Sequence, residues 1–174
     1  MPLILVSPLS AMLDALDEYH PSHLVTLLSP EFMITTPEGF PAERHLRLAL
    51  NDVADPALGG TPPLEDHVLD LIEFSHGWTG TAPLLVHCWA GVSRSMAAAF
   101  TILCERSWPG AEHRIAREIR ARAPHASPNR LLVRLADDAL GRKGRMVEAV
   151  EAMGPCNTVQ EGEIVEFPLD VFGL

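Results

Sequence analysis

Apolar positions along this chain follow two different spacings, and the changes between them mark out its elements. Leu3 to Val6 is an unbroken apolar run of strand length. Ser7 and Pro8 then read as a helix cap with a first-turn proline, and Leu9, Met12, Leu13 and Leu16 recur at helical spacing before Pro21. HLVTLL, residues 23–28, predicts a second strand, whereas Pro30, Pro37, Gly39 and Pro41 make residues 29–42 a loop. In HLRLAL, residues 45–50, Leu46, Leu48 and Leu50 alternate as in a half-buried strand, which runs into the polar loop NDVADPALGG. A helix follows Thr61 and two prolines, with Leu64, Val68, Leu71 and Ile72 as its buried stripe and an end near Gly77.

Downstream the pattern tightens. PLLVH, residues 83–87, has the continuous apolar character of a strand at a sheet centre. The segment from Ser95, MAAAFTILC, is apolar nearly all round and predicts a buried helix. Residues 111–123 place Ile115, Ile119 and Ala123 on one helical face. Ser127 and Pro128 repeat the cap-and-proline start before Leu131, Leu132 and Leu135. A last helix over 141–153 precedes a tail with a short strand at 163–167. Strands mixed with helices predict an α/β layered architecture. No repeat, low-complexity tract or long linker divides residues 1–174, so the expectation is a single domain with a core over about 3–140 and a tail, 141–174, of unassigned role.

Charge narrows the function classes. A net charge of -10 argues against non-specific nucleic-acid binding, which needs clustered Lys and Arg. The three cysteines, Cys88, Cys104 and Cys156, have wide and unrelated spacings, with neither a zinc pattern nor a disulfide framework. They fit a reducing compartment, and the N-terminus lacks a basic region before its apolar start. No apolar run reaches membrane-spanning length. The expectation is a cytoplasmic protein that binds neither nucleic acid nor membrane.

The chemistry is concentrated in HCWAGVSRS, residues 87–95. A cysteine directly follows a buried strand, and an arginine comes six positions later where a helix begins. The five residues between them, Trp89, Ala90, Gly91, Val92 and Ser93, can curl so that their N–H groups point at one tetrahedral anion. Gly91 permits the bend. The positive end of the helix dipole aims at the same point and, with Arg94, favours the thiolate form that attacks phosphorus. Arg94 can hold two phosphate oxygens with its planar fork. Ser95 can donate its hydroxyl to the sulfur as it departs, and His87 can fix the loop by hydrogen bonding. Asp52 and Asp55 in the NDVADP loop are the candidates for protonating the leaving oxygen.

These residues resemble the protein tyrosine phosphatase superfamily, whose signature His-Cys-x5-Arg-Ser/Thr is met at every fixed position of HCWAGVSRS. AGVSRS is similar to the dual-specificity branch, as is Ser127-Pro128-Asn129 at the opening of a late helix. Asn51-Asp52 occupies a place like that of the family's general acid. The resemblance implies a tyrosine phosphatase-like fold, a central mixed and mostly parallel sheet flanked by helices, and a two-step mechanism through a phosphocysteine. It implies Cys88 as nucleophile, residues 89–94 as phosphate-binding loop and Asp52 as acid and then base, with Asp55 as alternative. Ser95 would assist the leaving thiolate, and Ser127 and Asn129 would give structural support. No metal or organic cofactor is expected. The implied substrate is a phosphorylated protein or small phosphoester; a phosphoinositide phosphatase, sulfur transfer and a phosphoprotein-binding module without turnover are the competing readings. Trp89 can either shape the pocket rim or pack under a neighbouring loop. Cys104 reads as a core residue, and Arg114, Arg117, Arg120 and Arg122 as a solvated helix face paired with Glu118.

Overall fold

The computed structural model describes residues 2–173. Its sheet contains β1 (Leu3–Pro8), β2 (His23–Leu28), β3 (His45–Ala49), β4 (Leu84–Cys88) and β5 (Val165–Pro168), in the order β3-β2-β4-β1-β5. β1, β2, β3 and β4 run parallel; β5 closes the edge antiparallel to β1. Every residue of β4 is buried, which is why PLLVH shows no alternation in the sequence.

Successive strand side chains face opposite layers. Leu5, Leu24 and Leu85 meet Met12 and Ala15 of α1 (Met12–Tyr19) on one face. Ile4, Val6, Val25, Leu27, Leu84 and Val86 meet the larger layer on the other. That layer is built from α2 (Glu65–Gly77), α3 (Arg94–Glu105), α4 (Glu112–Arg122), α5 (Arg130–Ala139) and α6 (Arg145–Glu151). Residues 94–104 of α3 are all buried, so its apolar circumference matches its surroundings.

Several expectations change. Ser7 is not a helix cap: β1 continues through it, opposite His87 in the register, and a short 3-10 turn, Leu9–Ala11, precedes α1. Leu13 is exposed on α1 and Leu64 is the exposed residue just before α2, while Met12, Val68 and Leu71 are buried and Leu9, Leu16 and Ile72 pack against the core as expected. The cap of α5 is Asn129 rather than Ser127. Its side chain accepts the Leu132 N–H at 3.0 Å, while the Ser127 N–H is directed to the Val92 carbonyl at 2.9 Å. The buried core also passes residue 140, taking in Met146, Ala149, Val165, Phe167 and Phe172.

The parallel strands end on one side of the sheet, with Pro8 and Leu27 both opposite Cys88. The segments leaving those strand ends converge there, the usual place for a ligand in an open α/β sheet.

Candidate active site

Cys88 is the last residue of β4 and Arg94 the first of α3, so Trp89 to Ser93 turn the chain within five residues. Gly91 lies at φ +69°, in the left-handed region. A Cβ there would stand 2.7 Å from the Pro8 nitrogen and 2.9 Å from the Ser7 carbonyl carbon, both backbone atoms at the end of β1. Conformation and crowding both select glycine.

The loop's carbonyls are held outward by the surrounding chain. Leu9 N–H donates to Trp89 O at 3.1 Å, Gly162 N–H to Ala90 O at 2.8 Å and Ser127 N–H to Val92 O at 2.9 Å. Ser93 O accepts from Ala97 N–H at 2.9 Å and Asn129 N–H at 3.3 Å. In a planar trans peptide the N–H points opposite to the C=O. Holding these four carbonyls outward therefore turns the N–H groups of Ala90, Gly91, Ser93 and Arg94 inward. Among the described residues, no N–H of residues 89–93 donates to a backbone acceptor outside the regular helices and strands. This arrangement has the form that anion-binding nests take at a helix N-terminus.

The side chains continue the pattern. Cys88 Sγ lies 3.0 Å from Ser95 Oγ, with both residues buried. Arg94 is 5% exposed, and its Nη1 donates to the Leu50 carbonyl at 2.8 Å just past β3. Its Nε is buried without a protein acceptor, and Asp52 Oδ2 is 4.0 Å away. An unclaimed buried donor is unfavourable unless a ligand oxygen meets it.

Asp52 is brought to the same place. Its Oδ1 accepts the Ser93 hydroxyl at 2.7 Å and Asn129 Nδ2 at 2.9 Å, which leaves Oδ2 toward Arg94. Asn129 Nδ2 also donates to Val53 O at 3.1 Å, tying this loop to the start of α5. Asp55 is spent locally instead: its carboxylate accepts the Ala57 N–H at 2.9 Å in a capping turn. A cavity of about 330 Å³ opens here, lined by Asp52, Ala54, Ser93, Ser127, Asn129 and Arg130 among others.

His87 lies beneath the loop in a buried chain across three strands. Its Nε2 is 2.7 Å from Thr26 Oγ1, which is 2.8 Å from His45 Nε2, and His45 Nδ1 is 3.0 Å from Thr36 Oγ1. Burial, with a smaller contribution from the His45 charge, pushes His87 down to about 4. His87 is therefore a neutral anchor near neutral pH. Trp89 is half-exposed and packs against Phe32, ring centroids 5.2 Å apart. Phe32 belongs to the loop after β2, so this contact matches the expectation that Trp89 packs against a neighbouring loop.

The sequence matches no family model and no curated protein. Solved structures do match. DUSP15 superposes with a TM-score of 0.63 and 18% identity, over 87% of this chain and 92% of that one. The chain has the dual-specificity phosphatase fold. The human tyrosine phosphatase-like serine/threonine/tyrosine-interacting protein gives a TM-score of 0.62 and 19% identity, over 81% and 93% of the two chains. PTPMT1, solved in complex with PI(5)P, gives 0.54 and 20%, over 86% and 91%.

The structure thus gathers Cys88, residues 89–94, Ser95, Asp52 and Asn129 at one point, with His87 directly below. Ser127 contributes through its backbone. Cys104 is fully buried on α3, where burial pushes its thiol well up, and Glu118 pairs with Arg122 at 2.7 Å. Sequence reasoning did not find the contributions of Leu50, Leu9 and Gly162. These act through main-chain groups, for which residue identity carries little signal. Thr26 and His45 were legible only as strand residues.

Proposed function

We propose that this chain is a cysteine-dependent phosphomonoester hydrolase, working through a phosphocysteine on Cys88. The observation that carries the reading is the nest of inward N–H groups beside the buried Cys88 sulfur, completed by the unclaimed Arg94 Nε. A phosphoryl group in that bowl meets donors on its equatorial oxygens, and charge developing there is stabilised without reorganisation. Cys88 Sγ attacks phosphorus from below as the ester P–O bond breaks. Asp52 Oδ2, the carboxylate oxygen free of the Ser93 and Asn129 contacts, protonates the departing oxygen.

In the second step Asp52 takes a proton from water, whose oxygen attacks phosphorus. The S–P bond breaks, Ser95 donates its hydroxyl hydrogen bond to the leaving thiolate across the 3.0 Å contact, and inorganic phosphate departs. No step calls on a metal or organic cofactor. The substrate class we favour is a phosphorylated protein, with phosphotyrosine and phosphoserine or phosphothreonine both admitted. The loop positions Trp89, Ala90, Val92 and Ser93 add no cationic side chain, which argues against a polyanionic lipid headgroup. The reading treats residues 1–174 as one catalytic unit. It also assigns a reducing, cytoplasmic setting, supported by the three free thiols.

Hydrolysis of a chromogenic aryl phosphate in the presence of a metal chelator tests this reading, with wild type beside Cys88→Ser. Wild-type turnover that vanishes in the variant supports it. Tight phosphopeptide binding without turnover would favour a non-catalytic reader.

A further inference from the structure

The orientation of the phosphate loop depends on a segment far from it in sequence. We infer that Gly162, in the tail between α6 and β5, is a positioning residue that keeps the Gly91 N–H aimed at the bound anion. The inference rests on the phosphatase reading above and assigns a role to the otherwise unassigned tail.

Four of the five loop carbonyls accept a backbone N–H, and the one on the Ala90 carbonyl is that of Gly162 at 2.8 Å. The Ala90–Gly91 peptide is also the one most able to rotate, because Gly91 tolerates both signs of φ. If that peptide turned over, the Ala90 oxygen would face the phosphate and the Gly91 N–H would be lost as a donor. Gly162 holds it in the productive sense.

A side chain at the holding position would crowd His125 and the loop. A Cβ at residue 162 would stand 2.7 Å from His125 Nε2, 3.1 Å from His125 Cδ2 and 3.3 Å from the Gly91 carbonyl oxygen. His125 is buried between α4 and α5, so it has little room to move. The tail is tied down at two points just before the contact. Ser10 Oγ donates to the Glu161 carboxylate, and Asn157 N–H donates to Pro124 O at 2.9 Å. Gly162 therefore reaches the loop through a strap anchored at the first helical segment and at the end of α4.

The test is Gly162→Ala, read by the inhibition constant of inorganic phosphate and by the rate of iodoacetate alkylation of Cys88. Loss of one donor to a charged ligand should weaken phosphate by about 10- to 100-fold. It should slow alkylation at neutral pH in parallel, while aryl phosphate turnover falls in kcat rather than in KM alone. Adding His125→Ala removes the steric conflict and should restore most of the phosphate affinity. A fall in thermal stability alone, with phosphate inhibition and alkylation at wild-type values, would overturn the inference, and so would a double variant no better than Gly162→Ala. Should Gly162→Ala not fold, Glu161→Ala loosens the same strap and should weaken phosphate measurably; wild-type affinity there would also overturn it. The wild-type baseline separates the two ideas. Wild type lacking both phosphate inhibition and turnover refutes the phosphatase reading itself, whereas active wild type with an indifferent Gly162→Ala refutes only this inference.

Discussion

Gly91→Ala tests whether the phosphate loop is held by backbone geometry rather than by side-chain chemistry. The native φ of +69° places an added alanine in the left-handed region, at about 1–2 kcal/mol. The Cβ would also stand 2.7 Å from Pro8 N and 2.9 Å from Ser7 C. Neither atom can rotate aside, since both belong to the end of β1, which is hydrogen-bonded between β4 and β5. Contact normally begins near 3.5 Å, so the loop must retreat by roughly 0.5 Å or more. The combined destabilisation is about 2–3 kcal/mol, a fall in Tm of roughly 4–10 °C for a chain of this size. The larger effect is on turnover. Displacement on that scale moves several inward N–H groups off the anion together, and kcat/KM for an aryl phosphate should fall by about 100-fold. Calorimetry gives the first quantity, and initial rates measured well below the variant's Tm give the second. A variant with unchanged Tm and kcat/KM within about twofold of wild type would refute the argument, because substitutions that touch nothing behave that way.

The other expectations concern the acid, the buried histidine and the second helical layer. Asp52→Ala should lower kcat by about 10²–10⁴ and abolish the alkaline limb of the pH–rate profile, where an ionised general acid costs rate, whereas Asp55→Ala should keep that limb; the opposite pattern would transfer the role to Asp55. His87 is held below its usual value, so the unfolded chain takes up its proton first as pH falls. That contribution to stability, about 3 kcal/mol, is present above pH ~6.5 and lost progressively down to pH ~4. Thermal unfolding across that range should show Tm falling with acid, and His87→Asn should flatten the slope. Arg142→Ala leaves Glu112, which is 1% exposed and bonded to Arg142 Nη1 at 3.1 Å, short of its buried partner. A loss of about 3–5 kcal/mol should follow in denaturant unfolding, reduced to the extent that Arg145 compensates.

How much of this could be read from the residues depended on what kind of signal each feature leaves. β2 was legible to the residue because HLVTLL is a compact apolar run bounded by Pro21 and Pro30. Cys88, Gly91, Arg94 and Ser95 were legible because each side chain, or in Gly91 its absence, is required by the site. The start of α1 was misread, since Ser7-Pro8 imitates a cap while the sheet claims that backbone first. The α5 cap was misplaced by two residues because Ser127 and Asn129 are both good caps, and the choice follows from the Ser127 N–H being drawn to Val92. Asp52, favoured over Asp55 by the resemblance alone, differs from it in surroundings that no sequence pattern shows: Ser93 and Asn129 reach one and Ala57 the other. The tail carried no recognisable motif because its contact with the loop passes through the Gly162 main chain.

The most direct test of the central claim is to look for phosphorus on sulfur. The Ser95→Ala variant, lacking the hydroxyl 3.0 Å from Cys88 Sγ, should break down its intermediate slowly. Mixed with an aryl phosphate, quenched rapidly in acid, digested and weighed, it should carry one phosphoryl group on the peptide containing Cys88. Hydrolysis that continues with that peptide unmodified, or that persists in Cys88→Ser, would contradict the account.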